Sequence, residues 1–147
     1  MLSKSLLAIA LLAVALPVAA QAPGPIEQRK AMMKQNGKDA KAGGDMAKGA
    51  VPFDAGKAKM VFSGMHDVAM KYGTLFPANS KTGGETEAAP AIWTKPAEFQ
   101  AAVSKFQKDT MAALAANPQT LEAFRVQFGA VTANCKSCHE AFRIKKD

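Results

Sequence analysis

The chain is poor in the residues on which stapled folds and metal clusters depend. Its 147 residues include only two cysteines, two histidines, one tryptophan and one tyrosine. A bridge between Cys135 and Cys138 would close a tiny loop and stabilise little. A structural zinc site needs four ligands, and adjacent Cys138 and His139 are awkward co-ligands for one tetrahedral ion. Alternation of β-branched residues is missing, which argues against a sheet. Beyond the N-terminus no apolar run is long enough to cross a bilayer, so no membrane span is expected. The lysines are scattered and no basic–aromatic patch stands out, which argues against nucleic acid as a partner.

Charge of one sign is in excess. Nineteen Lys and Arg against twelve Asp and Glu leave a formal +7. The chain opens with Lys4, an apolar run from Leu6 to Val18, and small residues at Val18-Ala19-Ala20. That three-part layout is a secretory signal peptide. Cleavage is expected after Ala20, because a cut after Ala22 would leave Pro23 beside the scissile bond. Residues 1–20 are then lost and a single domain, 21–147, is exported to the periplasm. It keeps a charge of +6, since only Lys4 goes with the signal. Most of those charges belong to solvated helix faces, and the excess suits acidic protein partners or membrane headgroups.

What the chain does have is Cys135-Lys136-Ser137-Cys138-His139, eight residues from its end. C-x-x-C-H is the attachment signature of c-type haem. On a helix, positions i, i+3 and i+4 share a face. Two thiols can then bond to the porphyrin edge while the imidazole reaches the iron. A redox disulfide is the rival reading, but such pairs usually sit in a βαβ context, and none is visible here.

Four amphipathic segments flank and include this motif. The first starts near Pro25, a residue favoured in a first turn, with Ile26, Met33, Ala40 and Ala47 recurring every seven residues. The second starts at Asp54, a good N-cap, and carries Ala58, Val61, Phe62, Met65, Val68, Ala69 and Tyr72 on one face. Residues 77–90 read as a loop, followed by a short turn at Pro90-Ala91-Ile92-Trp93 that would tuck the tryptophan inside. The third helix is expected from about Lys95 to Ala116, and the fourth after Asn117-Pro118. Its stripe of Leu121, Phe124, Phe128 and Val131 continues into Cys135, Cys138, His139 and Phe142. The expected fold is all-α: an antiparallel four-helix bundle with covalently bound haem near one end.

A C-terminal C-x-x-C-H on the last helix of an exported all-helical chain resembles the cytochrome c-prime family, the class II c-type cytochromes. The resemblance also takes in Arg29 four residues before Met33, Pro52-Phe53-Asp54, Ile92-Trp93 and Phe142-Arg143. It implies thioether attachment through Cys135 and Cys138 and proximal iron ligation by His139. It further implies Arg29 near a haem propionate and Arg143 as the basic residue on the proximal side. The position of Met33 divides the family. High-spin members carry a non-coordinating side chain there and bind nitric oxide or carbon monoxide; in the low-spin branch a methionine ligates the iron. Met33 is the expected sixth ligand, with Met32 as its neighbouring competitor. His66 lies beside the stripe of its helix and is expected to be an ordinary histidine.

The expectation is therefore a non-enzymatic, periplasmic electron carrier of a Gram-negative bacterium. One haem c would be its cofactor and redox proteins its partners, as a monomer or a homodimer. The competing expectation is a gas-binding haem protein with an open distal site. A peroxidase-like enzyme is weaker still, for want of polar distal residues on the first helix.

Overall fold

The computed structural model describes residues 22–144. The expected signal segment 1–20, the expected mature start at Gln21 and residues 145–147 lie outside the described residues. Four long helices, α1 (Pro25–Ala47), α2 (Ala55–Tyr72), α4 (Pro96–Ala116) and α5 (Leu121–Phe142), are joined by short α3 (Ala91–Thr94) and loops. α1 packs on α2, α2 on α4, α4 on α5 and α5 back on α1, which closes an antiparallel four-helix bundle. Among the described residues there is no strand, only a lone bridge between Ala88 and Arg143. No described helix is long and apolar enough to cross a membrane.

Local chemistry sets the helix ends. Asp54 caps α2 by accepting from the Lys57 N–H at 2.8 Å, and Thr120 caps α5 by accepting from Ala123 at 3.3 Å. Each satisfies one of the amide groups that a helix start leaves without an internal partner. Asn117 ends α4 in the left-handed region, φ 42°, with its N–H on the Ala113 and Leu114 carbonyls. Pro118 then cannot continue the helix.

The expected buried face is found on α2, where Ala58 to Ala69 of the stripe are buried. On α1 it is displaced. Ile26, Met33, Ala40 and Ala47 are only half-buried, and the residues that go inside are Arg29, Asn36, Gly43 and Met46. Three of those four are polar or small, so a hydrophobic pattern passes over them. Ile26, Met33 and Ala40 instead line a cavity. The motif shows the same effect: Cys135 and Cys138 are half-buried and His139 is exposed, rather than continuing a buried stripe, because all three form cavity wall. Trp93 is likewise only half-buried, and it is Ile92 beside it that goes inside.

Along its axis the bundle divides into three zones. One end is an apolar plug that includes Phe62, Met65, Ala113, Phe124, Phe128 and Val131. A polar belt follows, with Asn36, a His66–Thr110 hydrogen bond of 3.0 Å, and Asn134 donating to Asp109 at 2.7 Å. The other end carries a second cluster, Ile92, Phe99, Val103 and Phe142, and here the cavity opens.

Gly43 lets the plug close. A Cβ there would collide with the edge of the Phe128 ring, whereas a Cβ on neighbouring Gly44 would meet nothing within 4 Å. Gly43→Ala is therefore expected to destabilise the protein by about 1–3 kcal/mol through overpacking. Gly44→Ala is expected to stabilise it by about 0.5–1 kcal/mol through backbone entropy. Urea denaturation of the two variants against the parent checks both signs.

Candidate haem site

α5 delivers Cys135, Cys138 and His139 to one wall because the helix runs unbroken through the motif to Phe142. Both thiols are free. Burial pushes each thiol up from its ordinary value, and for Cys138 the neighbouring Cys135 adds to the rise. For His139 burial lowers the pKa, Arg143 lowers it further and Glu87 opposes them. The shift favours the neutral imidazole, the form that can offer a nitrogen lone pair to iron.

The cavity beside them has a volume of about 540 Å³, within the ~300–1,000 Å³ range usual for cofactor pockets. α1 supplies the facing wall through Arg29, Met33, Asn36 and Ala40. A smaller chamber of about 50 Å³ runs inward from it, and Met33, Asn36, Tyr72, Cys135, Cys138 and His139 line both. Met32 lines neither, and nor does His66, which is held by Thr110. Lys30 and Lys34 stand exposed at the rim.

Arg29 is 4% exposed. Its Nη1 donates to the Leu75 carbonyl and to Ser80 Oγ, both at 2.8 Å. Its Nη2 donates to the Ser80 carbonyl at 3.0 Å and Thr86 Oγ1 at 3.1 Å. The guanidinium also stacks 4.5 Å above the Phe76 ring. All four hydrogen-bond acceptors are neutral oxygens, so burial pulls the pKa of Arg29 below its usual value, against the pull of Tyr72 and Glu27. A cation held in this way at a cavity wall is prepared for an anion, because burying it unpaired is costly.

The loop that Arg29 organises roofs the site. It is fastened a second time where Arg143 grips Glu87, with Nε–Oε2 at 2.6 Å. Backbone bonds from Ala89 N–H to the Phe142 carbonyl and from Ile144 N–H to the Glu87 carbonyl run alongside. Edge-on contacts carry the packing inward from Phe142 to Phe99 to Phe76 and on to Tyr72 and Trp93. The Tyr72 hydroxyl, pushed up to about 12 by burial and then by Cys138, stays a neutral hydrogen-bond donor.

Two side chains of α1 are exceptions to this good pairing. Asp39 Oδ2 is buried without a hydrogen-bond partner. Asn36 is 8% exposed, and its Oδ1 is likewise fully buried without a partner. An orphaned amide of this kind costs about 1–3 kcal/mol.

These residues fit a covalently bound haem. Two thiols and an imidazole share one face of α5, and a buried cation stands at the cavity wall. The family described as Cytochrome C' matches residues 24–143. The chain belongs to the cytochrome c′ family. It is 41% identical over 123 residues to cytochrome c′ of Rhodopseudomonas palustris, with 82% of each chain covered. It is 35% identical over 128 residues to cytochrome c-556 of Agrobacterium fabrum, covering 87% of this chain and 86% of that one. The likeness holds in space too: the structure of Rhodopseudomonas palustris cytochrome c′ superposes with a TM-score of 0.81 at 37% identity, covering 86% of this chain and all of that one. Haem c is accordingly the cofactor of this cytochrome c′ family member, and Cys135 and Cys138 are the two cysteines available for its thioethers.

The cavity brings together every sequence-expected site residue: Arg29, Met33, Cys135, Cys138, His139 and Arg143. Asn36, Tyr72, Ser80, Thr86 and Glu87 were not expected. The loop residues among them carry no spacing signal, and they matter only because the loop folds onto α1 and α5. Arg29→Ala removes four hydrogen bonds from a buried site and should destabilise the haem-loaded protein by on the order of 2–4 kcal/mol. Limited proteolysis should then cut the loop between residues 75 and 86 faster than in the parent.

Proposed function

We propose that this protein is an exported, single-haem electron carrier of the periplasm. His139 ligates the iron from α5 and Met33 ligates it from α1. Cys135 and Cys138 hold the macrocycle through thioethers, while Arg29 and Arg143 neutralise its carboxylates. The observation that carries this reading is that Met33 and His139 line the same two chambers from opposing helices, while Met32 lines neither. Bound haem supplies a one-electron iron couple, and His/Met is an established ligand pair for electron transfer. The chain's own part is to bind, to keep His139 neutral and to shield the site with the loop. No substrate is transformed, so the protein is a carrier and not an enzyme. Residues 1–20 serve as its cleaved signal peptide, and redox proteins are its partners.

A second reading is a gas binder, in which Met33 stands aside and nitric oxide or carbon monoxide takes the distal position. It is favoured by the 41% identity to a relative named cytochrome c′, given that high-spin members of the family bind gases.

Absorption spectra separate the two. With Met33 bound, the ferric protein is low-spin with a weak far-red iron–sulfur band, and carbon monoxide reacts slowly with the ferrous form. Met33→Ala should turn the iron towards high spin, lower the reduction potential and speed carbon monoxide uptake by roughly tenfold or more, equal to about 1.4 kcal/mol of barrier. Met32→Ala should leave the spectrum unchanged. A parent protein that is already high-spin and takes up carbon monoxide at once would establish the gas-binding reading instead.

A further inference from the structure

The orphaned amide of Asn36 has a place in the site. Asn36 follows Met33 by three residues, so it lies about 4.5 Å further along α1 and about 60° round from it. Both side chains line the larger cavity and the inner chamber, across from His139. Arg29 lines only the larger cavity, about 10 Å back along the helix from Asn36. The carboxylates that Arg29 is prepared to neutralise therefore belong at the other end of the site. Asn36 faces the inner, mostly apolar end, where Ala69, Ala102, Val103 and Phe106 line the chamber together with Tyr72 and Asn134.

Nothing in the protein satisfies its Oδ1, nor Asp39 Oδ2 one turn on, although the polar groups facing it from α4 and α5 are matched. Asn134 is spent on Asp109 and on the Ala130 and Val131 carbonyls, and Thr110 on His66 and the Phe106 carbonyl. Thioether attachment leaves the porphyrin rim at the cysteines without polar atoms. The polar position that a bound haem would add within reach of the distal wall is then the sixth coordination site of the iron. As an acceptor, Oδ1 cannot meet another acceptor, but a half-turn of the amide exchanges its two ends and puts the Nδ2 donor at that unpaired position. Groups beside a metal ligand orient it and tune its electronics.

We propose that Asn36 is the distal hydrogen-bonding residue of this site, its amide donating to whatever acceptor occupies the sixth position of the iron. In the electron-carrier reading, on which this version of the proposal rests, the acceptor is the remaining sulfur lone pair of Met33. With Met33 withdrawn, it is the outer atom of a bound diatomic. The chemistry is the same in both: an N–H placed against a weak acceptor in a mostly apolar chamber. Asn36 is thus a positioning residue for the ligand, and it draws electron density away from the iron.

The test compares Asn36→Leu with the parent, both alone and in the Met33→Ala background, using the haem-loaded protein throughout. In that background the carbon monoxide adduct is the probe. Loss of the amide should raise the C–O stretching frequency and speed carbon monoxide release by roughly three- to tenfold, the worth of one hydrogen bond. With Met33 present, Asn36→Leu should shift the far-red ferric band and lower the reduction potential. Asn36→Val carries the same expectations and serves if the larger side chain depresses the yield of holoprotein. A C–O stretch that is unchanged or lowered by both variants overturns the proposal, even if their melting temperatures change, because a purely structural amide would move only stability. If the parent proves high-spin, the carrier reading fails separately. The C–O comparison is then made in the parent itself, and the assignment of Asn36 stands or falls on that result.

Discussion

The buried guanidinium of Arg29 is the constraint to which the haem end of the molecule answers. A cation at 4% exposure must be solvated by the protein. The acceptors it recruits, the carbonyls of Leu75 and Ser80 and the hydroxyls of Ser80 and Thr86, all come from the connection between α2 and α4. A glycine- and threonine-containing loop with little reason of its own to order is thereby given one conformation. Phe76 is drawn under the guanidinium, and through Phe99 it meets Phe142 at the end of the haem-bearing helix. The same loop reaches Arg143 through Glu87. One charge on α1 therefore couples the roof of the site to its proximal wall.

The three zones divide the labour between stability and chemistry. The apolar plug, with Phe124 stacked on Phe128 at 5.2 Å and Gly43 flush against the ring, supplies packing that does not depend on the cofactor. The belt seals the chamber from the plug while using hydrogen bonds rather than bulk. Asp109 shows how this is managed. Burial pushes its carboxyl up, but the Asn134 amide and Lys105 outweigh it and hold it below the usual carboxylate range. Asn134 precedes Cys135, so this anchored pair also fixes the turn from which the motif projects. Asp39, next along α1 from Asn36, is the contrary case: burial raises its pKa, against Gln35 and Lys38, and its carboxylate packs where Gly64 of α2 leaves room.

The cofactor, the motif and the bundle were legible in the sequence because each depends on local order. C-x-x-C-H at helical spacing defines a face by itself, Asp54 and Asn117-Pro118 mark helix ends through their own backbone chemistry, and the stripe on α2 reports its burial directly. Arg29, Met33 and Arg143 could be named only through resemblance to a family, since an arginine in a helix reads equally well as a surface charge. The stripe of α1 was misjudged for a related reason. Hydropathy favours Ile26, Met33 and Ala40 for the interior, but a helix facing a cofactor chamber turns its apolar line to the chamber rather than into the packed core.

What the sequence determined by itself was therefore the set of helices, their ends and the placing of Cys135, Cys138 and His139 on one helix face, all set by residues within a turn or two of one another. The tertiary structure alone decided which methionine enters the chamber, that Arg29 is buried, and that Ser80, Thr86 and Glu87 belong to the site. It alone left the amide of Asn36 without a partner. Those outcomes depend on groups some 46–57 residues apart being brought to hydrogen-bond distance, and no local pattern encodes where a neutral oxygen will meet a buried charge.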